Sequence, residues 1–134
     1  MTIIKLNPNT STIKYINKID KKMWCNKKDF ETLWNLKPIE RPKIFIYNKY
    51  IETPRWFQSY GKSYSFSGLK HESIDIHPII EKYINYANIL EKKTTDFDGQ
   101  YFNMALVNWY KNGNDYIGEH SDDERQLIDN SSIY

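Results

Sequence analysis

Two neighbouring segments of this chain have apolar patterns of different period, and together they limit the folds that it can adopt. In residues 79–90, apolar side chains recur at spacings of three and four just after Pro78, which predicts a helix beginning at that proline. In residues 101–110, aromatic and branched residues predict a strand, and the turn-forming residues 111–115 follow it. The pattern therefore predicts a domain in which helices are followed by strands.

Shorter patterns occupy the rest of the chain. Residues 29–36 place Phe30, Leu33 and Trp34 on one helical face, with Asn26 as the predicted N-cap. The predicted strands are a hairpin over 44–51 that turns near Asn48, a strand over 64–67, one beginning near Tyr116 and a last one near Ser132. Because no repeat or linker interrupts this order, we expect a single domain.

Composition sets the outer limits of the functional classes. At 134 residues, with 40% hydrophobic residues, the chain can bury one core. Its 19 basic and 17 acidic residues nearly balance, so net charge does not identify a nucleic-acid-binding protein. The single cysteine, Cys25, excludes an internal disulfide and indicates a reducing environment. With no long apolar run and no targeting signal, we expect a soluble intracellular protein, and the sequence does not separate nuclear from cytoplasmic location.

His120 and Asp122 place an imidazole and a carboxylate two residues apart. In an extended segment this spacing puts both side chains on one face, where they can bind a single metal ion. A non-haem Fe(II) oxygenase site adds a second His and leaves positions open for 2-oxoglutarate and O₂. Because such a pair also arises by chance, the spacing alone leaves open a surface His near a turn.

The residues around this pair carry a more specific pattern, which extends well upstream. It comprises Phe102-Asn103, Leu106, Asn108, Tyr110, Gly113, Asp115, Ile117-Gly118, His120 and Asp122-Asp123-Glu124, preceded by Pro54-Arg55, Tyr60-Gly61 and Tyr64-Ser65-Phe66-Ser67-Gly68. In these motifs and their order, residues 41–134 resemble the AlkB-type Fe(II)/2-oxoglutarate-dependent dioxygenases, which repair alkylated nucleic acids. Residues 1–40 match a part of the family that varies.

The resemblance implies roles for nine residues of this chain. The metal ligands would be His120 and Asp122, the 2-oxoglutarate-binding residues Asn108 and Tyr110, the base-binding residues Tyr64, Phe66 and Glu124, the nucleic-acid contact Arg55 and the supporting residue Asp123. The two aromatic residues would stack on a base that has been removed from its duplex. The cofactor implied is Fe(II), with 2-oxoglutarate as co-substrate.

The residues themselves leave other interpretations open. These are an ordinary inward-facing polar pair at Asn108 and Tyr110, core packing by Tyr64 and Phe66, an exposed charged loop over 122–125, and a surface position for Arg55.

The fold class implied is α+β, mostly β: a partial double-stranded β-helix, or jelly roll, with N-terminal helices and without its C-terminal strands. We expect one AlkB-like dioxygenase domain over 1–134 that is truncated at its C-terminus. Within it, 1–40 would be a variable N-terminal segment, 41–100 the base-recognition lid and support helix, and 101–134 the start of the jelly-roll core. The family's second His ligand and two Arg residues come from strands beyond the position that matches Tyr134. Weak metal retention and little turnover are therefore expected of the isolated chain.

The function implied is oxidative dealkylation of N-methylated bases in DNA or RNA, with Fe(II), O₂ and 2-oxoglutarate. The expected partners are alkylated nucleic acid and a separately encoded C-terminal half, with no membrane. Alternative hypotheses are a non-catalytic nucleic-acid-binding fragment and an unfolded remnant of a broken gene. The sequence distinguishes neither DNA from RNA nor methyl from etheno lesions.

Overall fold

The computed structural model describes residues 2–7, 11–66, 69–94 and 102–120. Their strands are β1 (Thr2–Asn7), β2 (Ser11–Tyr15), β3 (Lys43–Ile46), β4 (Lys49–Glu52), β5 (Trp56–Tyr60), β6 (Tyr64–Phe66), β7 (Leu69–His71), β8 (Ser73–Ile74) and β9 (Ala105–Trp109), and their helices are α1 (Lys27–Asn35), α2 (Pro78–Thr94) and a 3-10 turn, Lys21–Met23. This mixture is compatible with an α+β fold. Among the described residues, no helix combines the length and apolar character needed to cross a membrane.

Both predicted helices are confirmed, and each begins with a side-chain cap. Asn26 accepts a hydrogen bond from the backbone N–H of Asp29 at 2.9 Å, which satisfies a donor that the first turn of α1 cannot pair internally. At the start of α2, the backbone N–H of Ile79 lies 3.2 Å from Nδ1 of His77. The proline at position 78 is the first residue of the helix, where its missing N–H costs nothing.

Strand β5 lies at the centre of the sheet that organises the fold, between β8 and β9. It runs parallel to β8 and antiparallel to β9, and its register with β9 places Trp56 opposite Trp109 and Phe57 opposite Asn108. Because side chains alternate along a strand, this register gives the sheet two different faces. The sequence patterns did not predict β5.

One face of the sheet packs against the helices and forms the core. Tyr60, Ile80 and Trp109 are buried at its centre. The partly buried residues around them are Leu33, Trp34, Leu36, Trp56, Ile76, Ile79, Ile84, Ala105 and Val107. The indole N–H of Trp109 donates to the backbone carbonyl of Leu33 at 2.8 Å, so the last described strand is tied to α1 as well as packed on it.

The predicted hairpin near Asn48 is confirmed as β3 and β4, which pair in antiparallel register. Its two turn residues, Tyr47 and Asn48, have positive φ angles of 48° and 59°. A turn with two such residues matches the right-handed twist of the flanking strands. Strand β6 agrees with the strand predicted over 64–67 as far as Phe66, and Ser67 lies outside the described residues.

The strand predicted over 101–110 is shorter among the described residues, because β9 covers only Ala105–Trp109, and Tyr101 lies outside the described part. Upstream of it, the side-chain amide of Asn88 accepts from the backbone N–H of Phe102 at 2.7 Å and donates to its carbonyl at 3.1 Å. These backbone groups therefore pair with α2 and are not used for a β-ladder. The strand expected from Tyr116 is absent from residues 116–120, and the one expected near Ser132 lies outside the described part.

Candidate functional site

Three candidate site residues, Arg55, Asn108 and Tyr110, lie on the side of the sheet that is away from the helices. Nε of Arg55 donates a hydrogen bond to Oδ1 of Asn108 at 2.8 Å, across the two paired strands. The guanidinium carbon of Arg55 also lies 5.5 Å from the ring centroid of Phe57, the cross-strand neighbour of Asn108. Tyr110 follows two residues after Asn108, just beyond the end of β9. The phenol of Tyr110 is near enough to act on the pKa of Arg55, so an arginine, an amide and a phenol lie close together at one end of the sheet.

The electrostatics of this cluster favour an anion. Burial lowers the pKa of Arg55, and the nearby phenol of Tyr110 opposes that change. An arginine begins so far above neutral pH that it stays charged in either case. A cation that is partly removed from water is stabilised by a carboxylate or phosphate that binds beside it. The cluster can therefore receive an acidic ligand.

A second aromatic group flanks the cluster on the β6–β7 hairpin. The ring of His71 meets the ring of Phe57 edge-on, with 4.8 Å between their centroids. In the hairpin, His71 is the direct cross-strand partner of Tyr64, and directly opposed residues project to the same side of a sheet. Tyr64 is thereby placed on the hairpin that covers Phe57. Phe66 pairs with Leu69 in the backbone, and its side chain lies outside the described residues.

His120 is exposed at the end of the described segment. Its Nδ1 lies 2.8 Å from the backbone carbonyl of Gly118. Since a carbonyl only accepts, this contact favours the tautomer with the proton on Nδ1 and the lone pair on Nε2. Metal-binding histidines commonly have one nitrogen oriented in this way by a carbonyl. The chemistry of His120 therefore fits a metal ligand.

Three of the site residues expected from the sequence lie outside the described part of the chain: Asp122, Asp123 and Glu124. Within the ranges that are described, no group of three or more His, Cys, Asp and Glu side chains could hold a metal ion. The structure thus brings Arg55, Asn108 and Tyr110 together, and it leaves the relation of His120 to Asp122 as a prediction.

The loop between β9 and His120 is held by an ion pair that sequence reasoning missed. Nη2 of Arg41 donates to both carboxylate oxygens of Asp115, at 2.8 and 2.9 Å. The same carboxylate accepts from the backbone N–H of Lys111 at 2.6 Å, and Tyr116 donates its backbone N–H to the carbonyl of Pro54 at 3.1 Å. These bonds fix the path of the chain toward His120.

Phe57 and His71 were also missed as neighbours of the site. One usable signal was present for Phe57, because the run 56–60 is rich in aromatic residues and lies between Pro54 and Gly61, as expected of a short buried strand. For the contact between Phe57 and His71 no local signal exists, since the two residues belong to different strands that are not paired with each other.

Comparison with known proteins agrees with the family resemblance seen in the sequence. A sequence model of the 2OG-Fe(II) oxygenase superfamily matches residues 12–133. DNA oxidative demethylase ALKBH2 of Mus musculus is 37% identical over 94 residues, which cover 68% of this chain and 36% of the mouse protein. The protein of the same name from Homo sapiens is 35% identical over 94 residues, or 33% of its length. The chain thus spans about a third of the length of these relatives, at 36% and 33%.

Proposed function

Because this chain belongs to the 2OG-Fe(II) oxygenase superfamily, we propose that it acts in the oxidative dealkylation of N-alkylated bases in DNA, with Fe(II) and 2-oxoglutarate. The observation that carries the proposal is the cluster of Arg55, Asn108 and Tyr110 on one face of the sheet, upstream of His120. Two relatives that are named as DNA oxidative demethylases match 68% of the chain at 37% and 35% identity.

The co-substrate would bind at Asn108 and Tyr110. An amide N–H₂ group and a phenolic O–H are both hydrogen-bond donors, and a dicarboxylate such as 2-oxoglutarate offers only acceptors. The positive charge of Arg55 beside them favours the same ligand, since its pKa is lowered by burial without loss of the charge. Donor groups and charge therefore complement the proposed co-substrate.

His120 and Asp122 would hold the Fe(II). The tautomer favoured by the Gly118 carbonyl gives Nε2 of His120 the lone pair that a metal requires. When bound, Fe(II) with 2-oxoglutarate and O₂ supplies the oxidation that hydroxylates the alkyl carbon. The contribution of the chain is to orient these ligands and to present the base.

The base would be received by the aromatic side chains of Tyr64 and Phe66, with Glu124 at its edge. A base must leave the duplex before an enzyme can attack it, and stacking on aromatic rings offsets part of the lost stacking energy. Asp123 would support the site from its position beside Asp122. The Nη groups of the Arg55 guanidinium would reach a phosphate group of the nucleic acid.

We further propose that the domain is a partial double-stranded β-helix with N-terminal helices and without its C-terminal strands, the fold that the family membership implies. In that arrangement residues 41–100 form the base-recognition lid and the support helix α2, and residues 101–134 form the start of the jelly-roll core. Residues 1–40 form a variable addition. The antiparallel pairing of β5 with β9 supports a single domain, since it joins a strand of the first part to one of the second.

The proposal is tested with the full-length protein and a single-stranded oligonucleotide that carries one N-methylated base. Succinate and formaldehyde should form in equal amounts, and His120→Ala or Asp122→Ala should reduce the rate by more than about a hundredfold, because loss of groups that merely orient a ligand already costs 10- to 100-fold. Asp75→Ala removes an exposed carboxylate elsewhere and serves as the matched control. Product formation that survives in both ligand variants would refute the proposed iron site.

A further inference from the structure

Resting on the proposed function, we infer that Arg55 is a positioning residue for the co-substrate, because it holds the amide of Asn108 with its N–H₂ group turned toward the bound anion. The two side chains belong to residues 53 positions apart in the chain. They meet because β5 and β9 pair in a register that puts Phe57 opposite Asn108, with Arg55 two residues before Phe57 on the same face.

The hydrogen-bond chemistry of arginine determines which way the amide points. A guanidinium has five N–H donors and no acceptor, so the amide atom that faces Nε of Arg55 must be the oxygen. The 2.8 Å contact from Nε to Oδ1 therefore selects one of the two orientations of the Asn108 amide. Its Nδ2 group is then directed away from Arg55. That group is the donor that a carboxylate needs.

Arg55 is suited to this task because its own position is well determined. Its backbone carbonyl accepts a hydrogen bond from Oγ1 of Thr53 at 2.7 Å, and Thr53 is only 2% exposed. Its guanidinium lies against the ring of Phe57, which is buried. A side chain that is held at its base and along one side loses little further entropy when it orients a neighbour.

Without Arg55, the amide of Asn108 would no longer be held in one orientation. Asparagine oxygen and nitrogen differ little in size, so the amide could turn and present its oxygen to the co-substrate. Two acceptors facing each other would repel, and the lost charge would remove a further favourable interaction. The expected effect is weaker binding of 2-oxoglutarate, transmitted through Asn108.

The experiment measures binding of 2-oxoglutarate to the full-length protein by titration calorimetry, with Mn(II) as a redox-inert metal and without oxygen. Arg55→Ala and Asn108→Ala should each raise the dissociation constant about tenfold, and the double variant should raise it by clearly less than the product of the two single effects. Arg55→Lys, which keeps a donor and the charge, should recover part of the affinity. Lys62→Ala removes an exposed positive charge beyond the other end of β5 and should leave binding unchanged.

The outcomes separate this inference from the proposed function. If the wild-type protein does not bind 2-oxoglutarate with metal present, the proposed function fails and the inference fails with it. Should the wild type bind and the Arg55 variants bind equally well, only the inference is overturned. It is likewise overturned when the effects of the two single variants multiply, since Arg55 would then act independently of Asn108. If Arg55→Ala does not fold, the same comparison is made with Arg55→Lys and Asn108→Ala.

Discussion

The carboxylate of Asp115 accepts hydrogen bonds from two parts of the chain that are far apart in sequence. The backbone N–H of Lys111 lowers its pKa most, and the guanidinium of Arg41 lowers it further. The side chain of Asp115 is 7% exposed, so the pair is largely removed from water. Arg41 also lies over the ring of Trp56, with its guanidinium carbon 4.0 Å from the centroid. One carboxylate thus joins the loop after β9 to the segment before β3.

This arrangement predicts a pH-dependent stability. Since the pKa of Asp115 is lower in the folded state, its contribution is fully present above its unfolded pKa of about 3.9 and is lost as the pH falls through the lower folded value. The Asp115→Asn variant should therefore unfold at a lower urea concentration than the wild type at pH 7, and the difference should shrink by about pH 3. Glu119→Gln, which neutralises an exposed carboxylate nearby, is the control. A difference that is constant with pH would contradict this account.

At the scale of the elements, both faces of β5 are covered. Phe57, Ser59 and Tyr60 are all buried, and the strand lies between β8 and β9. Beyond its last residue the chain turns at Gly61, whose φ angle of +84° lies in the region that side chains rarely adopt. The backbone N–H of Gly61 donates to the carbonyl of Ile74 at 2.9 Å. The end of β5 is therefore closely packed as well as hydrogen-bonded.

Substituting Gly61 by alanine should destabilise the protein. The added Cβ would lie 2.7 Å from the backbone oxygen of Asn103, and the positive φ adds strain, so we expect a loss of about 1–3 kcal/mol in the free energy of unfolding. Gly113→Ala is the matched control because a Cβ added at Gly113 would meet nothing within 4 Å, and its effect should stay below about 0.5 kcal/mol. Urea denaturation of the two variants measures both values. Equal stability of the two would contradict the packing argument.

At the scale of the whole molecule, the contacts between the helices and the candidate site lie on opposite sides of the sheet. On the core side, α1 and α2 are joined by Asp29, which accepts from Nζ of Lys82 at 2.5 Å and from the hydroxyl of Tyr83 at 2.9 Å. On the other side lies the cluster of Arg55 and Asn108. Because the strands lie between these two groups of contacts, the helices support the site by fixing the strands that carry it.

The proposed function predicts that metal and co-substrate stabilise the whole fold. A ligand that binds only the folded state at a hundred times its dissociation constant adds about 2.7 kcal/mol. Mn(II) with 2-oxoglutarate should therefore raise the melting temperature of the full-length protein, and a chelator should reverse the rise. His120→Ala should abolish the effect of the metal, whereas Asp75→Ala should retain it. A rise of equal size in both variants would argue against His120 as a ligand.

The sequence by itself determined the elements whose causes are local. The helical spacing and Pro78 are sufficient for α2, the cap at Asn26 for α1, and the turn residues near Asn48 for the β3–β4 hairpin. The resemblance around His120 also came from sequence alone, and it led to the family that the comparison shows.

Only the tertiary structure decided where these elements meet. β9 begins opposite Tyr60, the last residue of β5, the amide of Asn88 binds the backbone of Phe102, and Arg55 reaches Asn108 across 53 positions of the chain. Propensity and periodicity act over neighbouring residues, whereas such bonds depend on burial and on strand register. Those quantities are set only when distant segments pack together. For this reason Asn108 and Arg55 could each be identified from a motif, while the hydrogen bond between them could not.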